Sequence, residues 1–347
     1  MTDAPDTDPT VNREGENLPV EHEKSSVSTG VKKLRGRFNR EELEARAHAL
    51  EGEFKAQVAA TRAQIDATNV KIEARTGRNL PLAILIGVAL GLGLIFSLVF
   101  VKAIFMLFAG VLIAFTAFEL ASALRFAGRD VPRWPTVIAA AATVPAAFYL
   151  GDQGRWLVAL GGMVFVSLWR LAESLYSSHR GAKRDLWTDV AAGVFVQAYV
   201  PFLGSFAILL TGQAKGEWWT LAFLLLVICI DTGAYASGLL FGKHPMAPRI
   251  SPKKTWEGFA GSVVVAVIAG ILLSVFMIGE PAWFGFIFGV VIVFTATMGD
   301  LTESLIKRDL GIKDISTWLP GHGGFLDRMD SILPSAAAAY ILFLIFT

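Results

Sequence analysis

Four aspartates stand inside or at the ends of apolar runs: Asp231, Asp300, Asp327 and Asp330. Asp231 lies within the run 218–240, roughly 14 Å from its end at 1.5 Å per residue. A carboxylate at that depth is costly unless it faces a partner or a wet cavity. Asp300 closes the run 282–300. Asp327 and Asp330 precede the run 331–347 and fall three apart, on one face of a helix. Clustered carboxylate oxygens that leave positions for water and phosphate suit Mg2+. Pairing with Arg328, Lys307 or Lys313 accounts for one such aspartate, but less readily for several at converging helix ends.

Cations and glycines stand beside these acids. Ser251, Lys253 and Lys254 in "SPKKT", with Lys307 and Arg308, place paired charges next to hydroxyls and so suit phosphate. Taken singly they also fit contact with anionic headgroups. Gly321, Gly323 and Gly324 flank His322 just before the last run. Small residues there admit close approach of backbone N–H groups to an anion, or simply form a tight turn into the membrane. His322 reads as a hydrogen-bonding residue before a catalyst. A metal bridging phosphates, cations neutralising charge and glycine backbone near the ligand together describe phosphoryl or nucleotidyl transfer.

The elements that must position these groups are membrane-like. The chain has 347 residues, 54% of them hydrophobic and 18% charged. Soluble domains carry about 25% charged residues. The net charge of +1 gives no reason to expect a nucleic acid partner. The single cysteine, Cys229, excludes an intramolecular disulfide. The acidic N-terminus lacks the pattern of a cleavable signal peptide. Residues 1–38 read as a disordered cytoplasmic tail. Residues 39–78 read as an amphipathic or coiled-coil helix, lying on the membrane or solvated before the first span. Residues 79–347 form the membrane-embedded domain.

The predicted class is all-α, a polytopic helical membrane protein with about nine transmembrane helices. The predicted spans are 81–101, 103–123, 135–151, 156–172, 188–210, 218–240, 259–279, 282–300 and 331–347. Lys and Arg concentrate in alternate loops, 124–134, 173–187, 241–258 and 301–330. That alternation predicts a cytoplasmic N-terminus and active site in a multi-pass protein of the cell (plasma) membrane.

The spelling from Ser304 to Asp330, "SLIKRDLGIKDISTWLPGHGGFLDRMD", resembles the signature of the phosphatidate cytidylyltransferases (CDP-diacylglycerol synthases). Every fixed position of that signature matches. "DTGAYASGLLFGKHPMAPRISPKKTWEG", Asp231 to Gly258, resembles a second block of the same family. The resemblance covers roughly residues 80–347. It implies that CTP and phosphatidic acid react to CDP-diacylglycerol and pyrophosphate, in phospholipid biosynthesis, with Mg2+. It also implies a polytopic fold in the lipid bilayer, often as a homodimer. By motif position it implies Asp300 and Asp327 as Mg2+ ligands, with Asp330 or Asp231 serving a second cation, K+. Lys307 and Arg328 assist departure of pyrophosphate, and Ser304, Lys313 and His322 contact substrate.

Two other classes compete. One is a related membrane lipid kinase or ether-lipid cytidylyltransferase, against which the complete signature argues. The other is a transporter with intramembrane acids, for which Glu119 is the main charge besides Asp231. Glu119 reads first as a structural pair with a neighbouring span.

Overall fold

The computed structural model describes residues 48–53, 55–57, 80–176, 183–312, 315–316, 318 and 323–347. The chain forms two units, Met1–Val70 and Lys71–Thr347. In the first, residues 48–57 are helical wherever they are described. The tail expected over 1–38 and the rest of the helix expected over 39–78 lie outside the described residues, as do Lys313, Gly321 and His322.

The second unit is helical almost throughout, as backbone without water requires: each N–H and C=O must find its partner within the helix. In chain order the helices are α1 (Leu80–Phe100), α2 (Lys102–Phe126), α3 (Arg133–Tyr149), α4 (Gly151–Tyr176) and α5 (Lys183–Gln197). A π-helical turn, Ala198–Phe202, carries Pro201 and leads from α5 into α6 (Leu203–Gly212). Then come α7 (Gly216–Phe241), α8 (Trp256–Leu273), α9 (Ala282–Asp309), the short α10 (Leu326–Met329) and α11 (Ile332–Phe346). Two strands, β1 (Pro245–Ala247) and β2 (Ser251–Thr255), pair antiparallel between α7 and α8.

Among the described residues, seven helical stretches are long and apolar enough to cross a membrane, not nine. The shortfall is at α1, of which Gly87–Phe100 counts only as a shorter apolar stretch, and at α3. α3 has 17 residues and rises about 26 Å, less than a hydrocarbon core of about 30 Å. Long apolar side chains point outward, as in Leu157 (74% exposed) and Leu239 (72%). Phe223, Phe284, Phe288 and Ile292 fill the interior.

Two packing features position the site. α8 and α9 cross with backbone against backbone: a Cβ on Gly270 would lie 2.6 Å from the Gly285 carbonyl oxygen, and one on Gly289 2.4 Å from that of Ala266. Small residues at four-residue spacing permit such approach between membrane helices. On the other side, Phe115 of α2 stacks on Phe325 at 5.1 Å and Phe118 on Trp318 at 5.5 Å, so aromatic rings clamp the segment before α10.

Candidate active site

Asp300 and Glu303, one turn apart on α9, meet Asp330 at the junction of α10 and α11. One carboxylate oxygen from each lies within 4.8 Å of the other two. The approach depends on Gly299, where a Cβ would stand 2.2 Å from the Asp330 carbonyl oxygen and 2.8 Å from Pro334 Cγ. Gly299→Ala must push the two helices apart. Overpacking of this kind costs about 1–3 kcal/mol, and activity is expected to fall at least tenfold, measured beside the melting midpoint in detergent. An unchanged rate would show that the Asp300–Asp330 spacing is not used.

Two lysines serve these acids. Lys254 of β2 reaches Asp300 at 2.5 Å. Lys307, one turn beyond Glu303, bridges Glu303 at 2.6 Å and Asp327 at 3.0 Å. Glu303 is 2% exposed, and its Oε1 has no hydrogen-bond partner. The hard oxygen donors of Asp300, Glu303 and Asp330 and the unpartnered buried oxygen of Glu303 fit Mg2+.

The sequence-predicted residues fall into place unevenly. Asp300 and Asp330 converge as expected, but Asp300 does not end its helix; α9 continues to Asp309. Asp327 and Asp330 do not act as one pair. Asp327 lies beside Glu303, shares Lys307 with it, and also accepts the Gly324 N–H at 2.7 Å. The glycines serve that hold: Gly323 has φ +80°, and a Cβ there would stand 2.8 Å from Asp327 Oδ2. Asp231 and Arg328 interact electrostatically, Asp231 from the wall of the adjoining cavity. Arg308 donates from Nε to the Ile250 carbonyl oxygen at 3.1 Å, tying the hairpin to the end of α9. Ser251 begins β2, and Ser304 follows Glu303; both are half-buried.

Sequence reasoning missed Glu303. Its signal was its place one turn from both Asp300 and Lys307, masked because it reads as ordinary helix charge. Glu119 was seen as an intramembrane acid but assigned to a neighbouring span. It instead accepts the Leu326 N–H at 2.7 Å and the Ser316 hydroxyl, and so fixes the segment entering α10.

The hairpin and helices α7, α8 and α9 enclose a cavity of about 560 Å3. Asp231, Lys253, Lys254, Thr255 and Asp300 form its polar side; Tyr235, Leu239, Met246 and Phe259 form its apolar side. The hairpin is fixed at its base. Thr255 caps α8 by accepting the Gly258 N–H at 3.1 Å. Glu257 accepts the backbone N–H groups of Lys243 and His244 at 3.1 and 3.2 Å. A pocket with one charged wall and one oily wall suits a molecule with a phosphate head and an apolar tail.

Residues 82–346 match the model of the Cytidylyltransferase family. A phosphatidate cytidylyltransferase of Mycobacterium bovis is 43% identical over 274 residues, 77% of this chain and 89% of the relative. One of Mycobacterium leprae is 40% identical over 280 residues, 77% of this chain and 88% of the relative. Phosphatidate cytidylyltransferase 4, chloroplastic, of Arabidopsis thaliana is 40% identical over 164 residues, 45% of this chain and 41% of the relative. With the family model spanning the whole helical unit from α1 to α11, the chain belongs to the cytidylyltransferase family.

Proposed function

We propose that this enzyme transfers the cytidylyl group of CTP to phosphatidic acid, giving CDP-diacylglycerol and pyrophosphate. The observation that carries the reading is the three-carboxylate group of Asp300, Glu303 and Asp330 beside a cavity with one cationic and one apolar wall. A phosphatidate oxygen attacks the α-phosphorus of CTP, and the bond from that phosphorus to the bridging oxygen of pyrophosphate breaks. Phosphate monoesters are mostly ionised at pH 7, so the attack needs no general base. Lys253 and Lys254 draw the phosphates to the polar wall and offset their charge. Lys307 bridges Glu303 and Asp327 and so orients both. Arg328 adds positive charge where pyrophosphate departs.

Asp300, Glu303 and Asp330 would hold Mg2+, which when bound neutralises charge on the phosphates. Asp231 is left for a second, monovalent cation such as K+. Lys313 and His322 stay assigned to substrate through the family signature alone, and so does association into a homodimer.

The loops that precede α3, α5, α8 and α10 carry the basic residues, which supports a cytoplasmic site and N-terminus in the plasma membrane. Exposed Trp134, Trp187 and Trp256 fall at this end of their helices, while Trp156, Trp218 and Trp283 fall at the other. Two such girdles are what a bilayer with two interfaces selects.

The test is pyrophosphate release by purified protein with phosphatidic acid, Mg2+ and each of CTP, ATP, GTP and UTP. Release with CTP alone, stopped by EDTA, is the expected result. Release with ATP in place of CTP would point to a lipid kinase-like nucleotide choice, and no release with any of them would defeat nucleotidyl transfer.

A further inference from the structure

Glu119 is the one acid of α2 and is 2% exposed. It stands about 10 Å short of the helix end at Phe126, at 1.5 Å per residue. A carboxylate buried at that depth persists only where polar partners satisfy it. Two of its partners come from one stretch of chain. Oε2 accepts the Leu326 N–H at 2.7 Å, and Oε1 accepts the Ser316 hydroxyl. One side chain of α2 thus ties together both ends of Ser316–Leu326. Phe115 and Phe118, about one turn earlier on the same face of α2, stack on Phe325 and Trp318 of that stretch.

The hold leads toward the acidic group. A Cβ on Gly324 would stand 2.5 Å from Glu119 Oε1, so glycine backbone lies directly against the carboxylate. The N–H of the same glycine donates to Asp327 Oδ2 at 2.7 Å. Leu326, which Glu119 holds by its N–H, is the residue before Asp327. Asp327 takes Lys307 at 3.0 Å, and Lys307 takes Glu303 at 2.6 Å. Glu303 belongs to the three-carboxylate group. A continuous line of bonds therefore runs from α2 to that group.

We propose that Glu119 is a positioning residue for the transfer reaction: it closes Ser316–Leu326 and so sets Asp327 where Lys307 can join it to Glu303. The inference rests on the cytidylyl-transfer reading. Glu119 acts through Asp327 rather than on a reacting atom. Its two donors, a backbone N–H and a hydroxyl, are neutral. The hold therefore needs hydrogen-bond geometry rather than negative charge. Glutamine can supply that geometry: its amide oxygen accepts the Leu326 N–H, and its amide nitrogen donates to Ser316 Oγ. Alanine can supply neither bond.

The test is hydrogen exchange of the full-length protein in detergent, read by mass spectrometry on peptides covering residues 316–327. It runs beside kcat for pyrophosphate release from CTP with phosphatidic acid. Glu119→Ala is expected to exchange faster in those peptides and at the wild-type rate in α8 and α9. Its kcat should fall about 100-fold, the cost of a misplacement of about 1 Å. Glu119→Gln should return both readings to near the wild type. Wild-type exchange or wild-type kcat in Glu119→Ala overturns the proposal. Faster exchange throughout the helices also overturns it, because Glu119 would then hold the bundle rather than this segment. So does Glu119→Gln as slow as alanine, which would make the charge the working feature. If Glu119→Ala does not fold, Ser316→Ala cuts one of the two ties in its place. Faster exchange in the same peptides with a smaller loss of rate is then expected, and wild-type exchange overturns the proposal. A wild type inactive with every nucleotide would defeat cytidylyl transfer and the catalytic half of this inference. The exchange readings would still decide the hold.

Discussion

Glu303→Gln is expected to lower kcat by about 100–1,000-fold with little change in KM for CTP. The substitution keeps the shape of a side chain that is 2% exposed and removes one negative charge from the three-carboxylate group. Removing one preorganised electrostatic group from a water-poor site typically costs that much. The effect has a second signature. Lys307 loses an anionic partner at 2.6 Å, while Asp327 keeps its lysine and its Gly324 N–H. The substrate-facing lysines, Lys253 and Lys254, are untouched, so binding of CTP should survive while turnover fails. Steady-state kinetics over a range of Mg2+ decides it. A variant with wild-type kcat at saturating Mg2+ would remove Glu303 from the site and return the metal to Asp300 and Asp327.

Lys307→Met is expected to damage folding as well as rate. Lys307 is 19% exposed and joins two acids from different elements, Glu303 of α9 and Asp327 of α10. Taking one partner from a buried ion pair typically costs about 3–5 kcal/mol, because an uncompensated charge stays behind. Here two stay behind. The melting midpoint in detergent should fall by roughly 10 °C, within the usual relation between free energy and midpoint for a chain of this size. Combining Lys307→Met with Asp327→Asn should recover part of that loss, as interacting neighbours do in a double-mutant cycle. Strict additivity of the two substitutions would show that the bridge carries no coupling. Activity should stay low in both variants, since the rescue restores charge balance rather than the orientation of Glu303.

Much of this was readable before any coordinates. Apolar runs separated by basic loops specify helices, because in lipid each run must satisfy its own backbone. The acids at the run ends had to sit near one another if the loops alternate. The count of spans was less secure, since α3 is short for a bilayer. Detailed roles were less legible still. Asp327 and Asp330 share a spacing that puts them on one face of a helix, but nothing in that spacing reveals that Lys307 and the Gly324 N–H hold Asp327 while Asp330 joins Asp300 and Glu303. Glu303 read as ordinary helix charge, because nothing in sequence reveals that it is the buried residue of α9 beyond Asp300. The glycines before α10 suggested a ligand cradle; the visible work of Gly323 is to admit the carboxylate of Asp327, and that of Gly324 to admit the carboxylate of Glu119.

The glycine crossing of α8 and α9 has a mechanical consequence. No side chain stands between the two backbones at Gly270, Gly285 and Gly289, so nothing soft is available there to absorb a shift. The crossing works as a fulcrum. From Gly289 to Asp300 the helix extends about 16 Å at 1.5 Å per residue. A tilt of a few degrees at the fulcrum therefore moves Asp300 by about 1 Å relative to Lys254, which stands just before α8. A misplacement of that size in a transfer site can cost about 100-fold. Substitutions at Gly270, Gly285 or Gly289, residues with no chemistry of their own, are therefore expected to lower the rate by moving Asp300.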